Sequence, residues 1–299
     1  MNIAILSKGR KNYSTTRLVE QAKLRGHEVT VINYAKCFVT LEQNNPIVNY
    51  GGEIITDIDA IIPRISANLT NYGSSIVRQF EMQNVFTTTS SIAIVRARDK
   101  LRSMQLLAKS GVGIPKTVFA RETADYEGVL EQVGGAPVII KVARGTHGTG
   151  VVLAETRKAA LAVMQAFNVE GVNFLVQEYI AESKGSDIRA FVVNGKVVAS
   201  MMRKSNDDDF RSNLHQGGQG EVVKLTDIER RTAQKAAKAM GLTIAGVDML
   251  RSDRGPLVLE VNASPGFGIE KITISKGIKP FWLLFLYFIV FINIRLEQL

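Results

Sequence analysis

Leu257-Val258-Leu259-Glu260-Val261-Asn262-Ala263-Ser264-Pro265-Gly266 is the stretch on which the reading of this chain turns. Its apolar run predicts a β-strand, in which alternate side chains share a face, so Glu260 and Asn262 point the same way. Upstream, Ala245-Gly246-Val247-Asp248-Met249-Leu250 is a second strand-like run with one carboxylate in its middle. Ser252-Asp253-Arg254-Gly255 predicts the turn of a hairpin that brings Asp248 beside Glu260. Two carboxylates and a carboxamide form an oxygen-only donor set, which suits a hard cation such as Mg²⁺ that also holds nucleotide phosphates. A solvated strand face is the competing reading, and spacing alone leaves it open.

The 299 residues are enough for two ordinary domains, and 45% apolar with 22% charged residues describes a globular chain with ample core. The single cysteine, Cys37, excludes an internal disulfide framework and predicts a reducing, cytoplasmic setting. His27, His147 and His215 are far apart in sequence, which gives no zinc-type spacing. The apolar stretch after Met1 is too short for a signal peptide and predicts a first strand instead. The net charge of +9 is spread along the chain; it favours phosphate-bearing or acidic partners and serves solubility equally well. No basic and aromatic run marks a nucleic-acid platform, so direct nucleic-acid readout is not expected.

Residues 1–97 alternate strand and helix: strands at 2–7, 29–33 and 59–65, helices at 13–25 and 74–83. This is a βαβ opening to a parallel, doubly wound sheet. Lys8-Gly9-Arg10-Lys11 after the first strand is not a dinucleotide fingerprint. From Asp99 the pattern changes. A helix at 99–109 stops at Gly111, strands at 116–120 and 137–142 flank a helix at 122–133, and a glycine-threonine loop spans 143–150. A strand at 151–155, a helix at 156–167 and a strand at 174–179 follow. Strands at 187–193 and 196–202 are joined by Asn194-Gly195, a strong hairpin signal. Residues 204–220 read as a long polar loop, and Thr226 caps a helix at 227–240 that Gly241 ends.

Within this order, Gly145, Gly148 and Gly150 can bring backbone N–H groups close to phosphate oxygens, although a plain hairpin tip has the same composition. Lys141 favours the first reading, because it ends the apolar run Val138-Ile139-Ile140, where a lysine calls for an anion. Gln177-Glu178-Tyr179-Ile180 can set backbone donors and acceptors beside an apolar wall, as a nucleobase slot requires, or can be an ordinary strand end. Asp187 and Arg189 share one strand face, as do Met201 and Arg203. Phe210-Arg211-Ser212-Asn213 lies in the polar loop before Gly217-Gly218. Arginines so placed can clamp carboxylates or phosphates bidentately, or lie on the surface.

Lysine, glycine loop, base-side strand, arginines and then Asp…Glu-x-Asn is the layout of the ATP-grasp superfamily. The stretches Arg96–Ala108, Gly134-Gly135-Ala136-Pro137, Gly150–Arg157, Asp209–His215 and Arg254-Gly255-Pro256-Leu257 resemble the RimK family, ligases that add glutamate to a ribosomal protein. The resemblance runs from residue 1 to about 271. It implies an α/β fold of ATP-grasp type: an N-terminal pre-ATP-grasp domain over 1–97 and a two-subdomain ATP-grasp domain over 98–280, its lid near 115–180. It implies Lys100 and Lys141 on the nucleotide phosphates, Glu178, Tyr179 and Ile180 beside adenine, and Asp187 against the nucleotide. Arg211, Ser212 and Asn213 line the phosphate and substrate side, and Asp248, Glu260 and Asn262 hold two Mg²⁺ or Mn²⁺ ions. Arg189 and Arg203, with Arg211, are the implied contacts for the substrate carboxylates. The implied reaction adds L-glutamate to the C-terminal carboxylate of the sixth small-subunit ribosomal protein through an acyl phosphate, with poly-glutamate a further product. Glutamate joined to a small amino acid is the alternative within the class, and a homo-oligomer is implied. His147 stands where the resemblance leads one to expect glutamine.

The C-terminal end departs from this pattern. The loop Asn262–Glu270 is one residue shorter than the resemblance implies, and the likeness stops after Lys271. Residues 281–292 are twelve unbroken apolar residues within a tail over 281–299. As a helix they span about 18 Å, short of the ~30 Å hydrocarbon core, so membrane crossing is not expected. The tail reads as the product of a reading frame shifted between codons 267 and 275. An inactive nucleotide-binding protein is the contrasting expectation, and resequencing the gene tests the shift.

Overall fold

The computed structural model describes residues 1–121, 123–142, 150–183, 185–204 and 219–275. The N-terminal part contains β1 (Asn2–Ser7), α1 (Tyr13–Lys23), β2 (Glu28–Ile32), β3 (Cys37–Glu42), β4 (Asn45–Tyr50), β5 (Glu53–Ile54), β6 (Ala60–Arg64), α2 (Thr70–Met82), β7 (Phe86–Thr87) and α3 (Ser91–Arg98). Strands β2, β1, β6 and β7 form a parallel sheet in that order. The chain leaves β1 toward β2 and returns to β6 on the other side of β1. That reversal is a topological switch point, and ligands of open α/β sheets bind outside the carboxyl ends of the strands there.

The remainder runs α4 (Lys100–Lys109), β8 (Thr117–Ala120), α5 (Tyr126–Gln132), β9 (Val138–Val142), β10 (Val151–Ala154), α6 (Arg157–Val169) and β11 (Phe174–Glu178). It continues with β12 (Ser186–Val193), β13 (Lys196–Lys204), β14 (Gln219–Val222), α7 (Asp227–Met240), β15 (Ile244–Leu250), β16 (Leu257–Asn262) and α8 (Gly268–Ser275). Strands β10-β9-β11-β8 form one antiparallel sheet and β14-β13-β12-β15-β16 another. The expected β12–β13 hairpin is present, with Asn194 at φ 45° and Gly195 at φ 71°, the left-handed pair that a two-residue turn requires. Thr226 and Glu229 form the capping box of α7, and Gly241 closes it in the left-handed region.

The structure departs from the sequence reading in several places. The helix expected at 122–133 is the shorter α5, with Asp125 as its cap. The helix expected from 74 begins at Thr70. The three-stranded sheet β3-β4-β5 and helix α3 were not expected at all. The polar loop taken to reach 220 stops before β14, which starts at Gln219.

Burial divides the central five-stranded sheet by face. Ile188, Ala190, Val192, Val247, Met249, Val258 and Val261 enter a core shared with Leu6, Ile61 and Phe80 of the N-terminal part and Ala233 and Ala237 of α7. On the opposite face, Phe191, Val193 and Ile244 pack with Phe267 and Ile269 and with Ile3, Ile5 and Ile62 of the parallel sheet. That second face is apolar only at one end; its other end carries the site.

Candidate active site

Strand register lines up the polar end of this face. Asp187 lies opposite Arg203 across β12–β13, and Arg189 opposite Asp248 across β12–β15. Asp248 lies opposite Glu260, and Gly246 opposite Asn262, across β15–β16. Directly opposed residues share a face, so Asp248, Glu260 and Asn262 fall in one patch as the hairpin predicted. Gly246 keeps the patch open to the following loop: a Cβ there would sit 2.9 Å from Pro265 Cβ, so Ser264–Phe267 folds back over the strand only above a glycine.

The arginines are already engaged. Arg189 donates from Nε to Asp248 Oδ1 and from Nη2 to Oδ2, both at 2.6 Å. Arg203 donates from Nε to Asp187 Oδ1 at 2.8 Å and pairs through Nη2 with Asp187 Oδ2, and it reaches Asp248 Oδ2 at 3.0 Å. Burial opposes the charge on Asp248, but Arg189 and then Arg203 outweigh it and hold the carboxyl below its ordinary range. Burial likewise opposes the Arg203 charge, while Asp248 and Asp187 lift the guanidinium above its usual range. The expected direct contacts to substrate from Arg189 and Arg203, and to nucleotide from Asp187, are therefore filled by protein partners here. Asp187 does border a cavity of about 170 Å³, together with Glu182, Met202 and Arg251. That is below the ~300–1,000 Å³ of an ordinary ligand pocket, so the cavity alone is too small for a nucleotide.

The antiparallel β8–β11 sheet and helix α4 each supply a lysine near Glu260. Lys141 in β9 is half-buried, and burial pushes its ammonium down to about 8; Glu260 pulls upward and nearby Lys100 adds to the lowering. Lys100 opens α4 and donates from Nζ to the Val142 carbonyl at 2.8 Å, with burial lowering it against the pull of Glu260. Gly150 immediately precedes β10 at φ 73°, and a Cβ there would meet Val142 Cγ2 at 2.4 Å, so this position admits only glycine. At the end of β11, the Glu178 carboxylate accepts the Lys116 N–H at 2.5 Å and pairs with Arg254. The Glu178 backbone N–H also donates to the Lys116 carbonyl, at 3.1 Å. Ile180 is buried and its carbonyl accepts from Ser183, while Tyr179 is half-buried.

Arg211, Ser212, Asn213, Gly145, His147, Gly148 and the apolar tail lie outside the described residues. Sequence reading gave no role to Arg64 or Arg98, which the structure brings to the loop after β16 and to the end of β6. Arg64 ends β6 beside Ser7, donates to the Pro265 carbonyl at 2.8 Å, and lies 5.1 Å over the Phe267 ring. Arg98 ends α3 and donates to the Ile65 carbonyl at 2.9 Å. A usable signal was present: an arginine at the carboxyl end of the buried run Ala60-Ile61-Ile62-Pro63.

Two family models match this chain: a RimK PreATP-grasp domain over residues 1–94 and a RimK-like ATP-grasp domain over residues 97–279. The chain belongs to the RimK family of ATP-grasp proteins. RimK-family relatives include a probable alpha-L-glutamate ligase of Hydrogenovibrio crunogenus, 56% identical over 274 residues that cover 91% of each chain. A probable alpha-L-glutamate ligase of Picosynechococcus sp. is 56% identical over the same share. The fold resembles the ATP-grasp ligase PsnB complexed with minimal precursor, with TM-score 0.68, 21% identity and coverage of 89% of this chain and 91% of that one. It also resembles D-alanine–D-alanine ligase from Bacillus anthracis, with TM-score 0.70, 18% identity and coverage of 100% and 99%. Like its RimK relatives, the protein is an ATP-dependent carboxylate–amine ligase. Among the described residues, no helix is long and apolar enough to cross a membrane.

The donor set can be tested against a divalent cation. No three His, Cys, Asp or Glu side chains converge among the described residues, so any site here is two carboxylates and a carboxamide. Glu260 is exposed and forms no ion pair with a described residue. Asp248 accepts three arginine N–H groups, leaving roughly one of a carboxylate's four lone-pair sites on Oδ1. With Asn262 aligned beside them, the oxygens suit Mg²⁺.

Proposed function

We propose that this ligase adds L-glutamate to the C-terminal carboxylate of a small-subunit ribosomal protein. The observation that carries the reading is the alignment of Asp248, Glu260 and Asn262 on one strand face with Lys100 and Lys141 close enough to feel Glu260. Two anions, ATP and a carboxylate, must meet, and fixed cations on one side with oxygen donors on the other allow that approach. Asp248, Glu260 and Asn262 would hold one or two Mg²⁺ or Mn²⁺ ions, which neutralise phosphate charge. Lys100 and Lys141 bind phosphate oxygens, with Arg211, Ser212 and Asn213 on the phosphate and substrate side. The backbone of Glu178, Tyr179 and Ile180 borders adenine.

A carboxylate oxygen of the acceptor attacks the γ-phosphorus and ADP leaves, giving an acyl phosphate. The glutamate amine then attacks the acyl carbon; phosphate leaves with the C–O electron pair, and the amine loses a proton as the amide forms. Arg189 and Arg203 hold Asp248 and Asp187 in place through this sequence. No side-chain nucleophile is needed. A cytoplasmic, homo-oligomeric enzyme completes the proposal and rests on the family resemblance.

Incubation with ATP, Mg²⁺, glutamate and the ribosomal protein tests it by mass spectrometry. The expected product is an acceptor heavier by whole glutamate residues, with one ADP per residue added. ADP without extension refutes this acceptor and directs the search to small amino acids by phosphate release. Nucleotide binding without ADP formation refutes ligase activity in this copy.

A further inference from the structure

Arg64 and Arg98 are two guanidiniums without an anion. Neither forms an ion pair with a described carboxylate; Arg64 donates to the Pro265 carbonyl and Arg98 to the Ile65 carbonyl. Arg98 Nε is buried with no hydrogen-bond partner, and so is the Ser264 hydroxyl in the loop beneath Arg64. Burial presses Arg64 down to about 10, with Arg98 adding to it. A buried donor left unsatisfied is costly, and two like charges held together are more so, unless a ligand completes them. The place is also suited to a ligand: Arg64 ends β6, which pairs with β1 at the switch point of the parallel sheet.

We propose that Arg64 and Arg98 form a subsite for a carboxylate of the amine-donating amino acid. This rests on the ligase reading above, in which that amino acid is glutamate. Arg98 holds the carbonyl of Ile65, the residue after Arg64, and Arg64 holds the carbonyl of Pro265 in the loop that follows Asn262, so both guanidiniums lie beside the metal-side strand end. The carboxylate to be phosphorylated must lie against the γ-phosphate, beside Lys100, Lys141 and Glu260. The carboxylate of the amine donor is never consumed. Anchored one step away, it holds the amine facing the acyl carbon. Forked guanidiniums match such a group bidentately, and Ser264 can supply a further hydrogen bond.

The test uses the full chain with Arg64→Gln, Arg98→Gln and Arg64→Lys. In each Gln variant the KM for glutamate should rise about tenfold or more, with the KM for ATP within about twofold, since charge-assisted bidentate bonds are the strong ones. R64K should recover part of the loss. An unchanged glutamate KM, or an equal rise for ATP, overturns the subsite. Wild-type protein that makes no ADP with glutamate refutes the glutamate reading instead. Calorimetry with glutamate, aspartate and glutarate, in the presence of ADP and Mg²⁺, then decides the subsite without turnover. Binding to wild type that R64Q loses supports it; equal binding, or none to wild type, overturns it. If R64Q fails to fold, R98Q and R64K carry both comparisons.

Discussion

Lys141 shows what one residue in the wrong company reveals. An ammonium in the strand Val138–Val142 is costly to charge, and burial moves it from the ordinary 10.5 to about 8, with Lys100 adding to the shift and Glu260 opposing it. Between about pH 8 and 10.5 the unfolded chain therefore binds a proton that the folded chain does not. Stability gains with rising pH across that window, and charging Lys141 is a cost below it. Phosphate reverses the balance by favouring the charged form. ATP affinity, measured by fluorescence titration, should fall as pH rises from 7 to 9, and Lys141→Met should weaken binding at pH 7 and flatten the profile. An unchanged profile in K141M would place the titrating group elsewhere. Lys141, Glu260 and Asn262 were legible because a polar residue in an apolar run stands out. Arg64 carried a weaker signal, an arginine at the carboxyl end of a buried run, which gains meaning only when its neighbours are known.

At the scale of elements, the clearest sequence signals were local ones. The Thr226–Glu229 capping box and the Asn194-Gly195 turn involve residues three and one apart, so short-range chemistry alone specifies them. Helix α3 escaped because Asp99 ends it and caps α4 at once, accepting the Arg102 N–H, and the boundary hides the preceding helix. Strand β3 escaped because Phe38 and Leu41 stay exposed, which blurs the alternation. Helix α8 depends on distant partners: buried Glu270 accepts from Arg17 Nη2 at 2.7 Å and from the Tyr13 hydroxyl at 2.8 Å. Burial and that bond push Tyr13 up to about 12. Glu270→Gln should destabilise by about 2 kcal/mol, because Arg17 then loses a buried partner. Urea denaturation checks this, and E270Q with Arg17→Met should cost less than the two changes summed. Strict additivity would mean that the pair does not hold α8.

Across the whole molecule, burial is unevenly shared. The two cores on the faces of the central sheet both draw on the N-terminal part, so those regions are expected to unfold together. The β8–β11 sheet has a core of its own, in which Leu130, Val138, Ile140, Met164 and Phe174 pack within residues 118–176. Native-state hydrogen exchange should show the amides of β9 and β10 opening at lower free energy than those of β12 and β15. Equal protection would mean that all the cores form one cooperative unit. The sequence by itself determined most of the strand–helix order from β8 to β16, the main turns, the oxygen-bearing hairpin and the family, because each is carried by short spacing or motif. Only the tertiary structure decided that Asp248 is spanned by two arginines, that Glu178 is tied to Arg254, and that Arg64 reaches the Pro265 carbonyl and Arg98 the Ile65 carbonyl. The partners in those contacts are brought together from separate strands, helices and loops, and charge acts through distance in space, which spacing along the chain does not record.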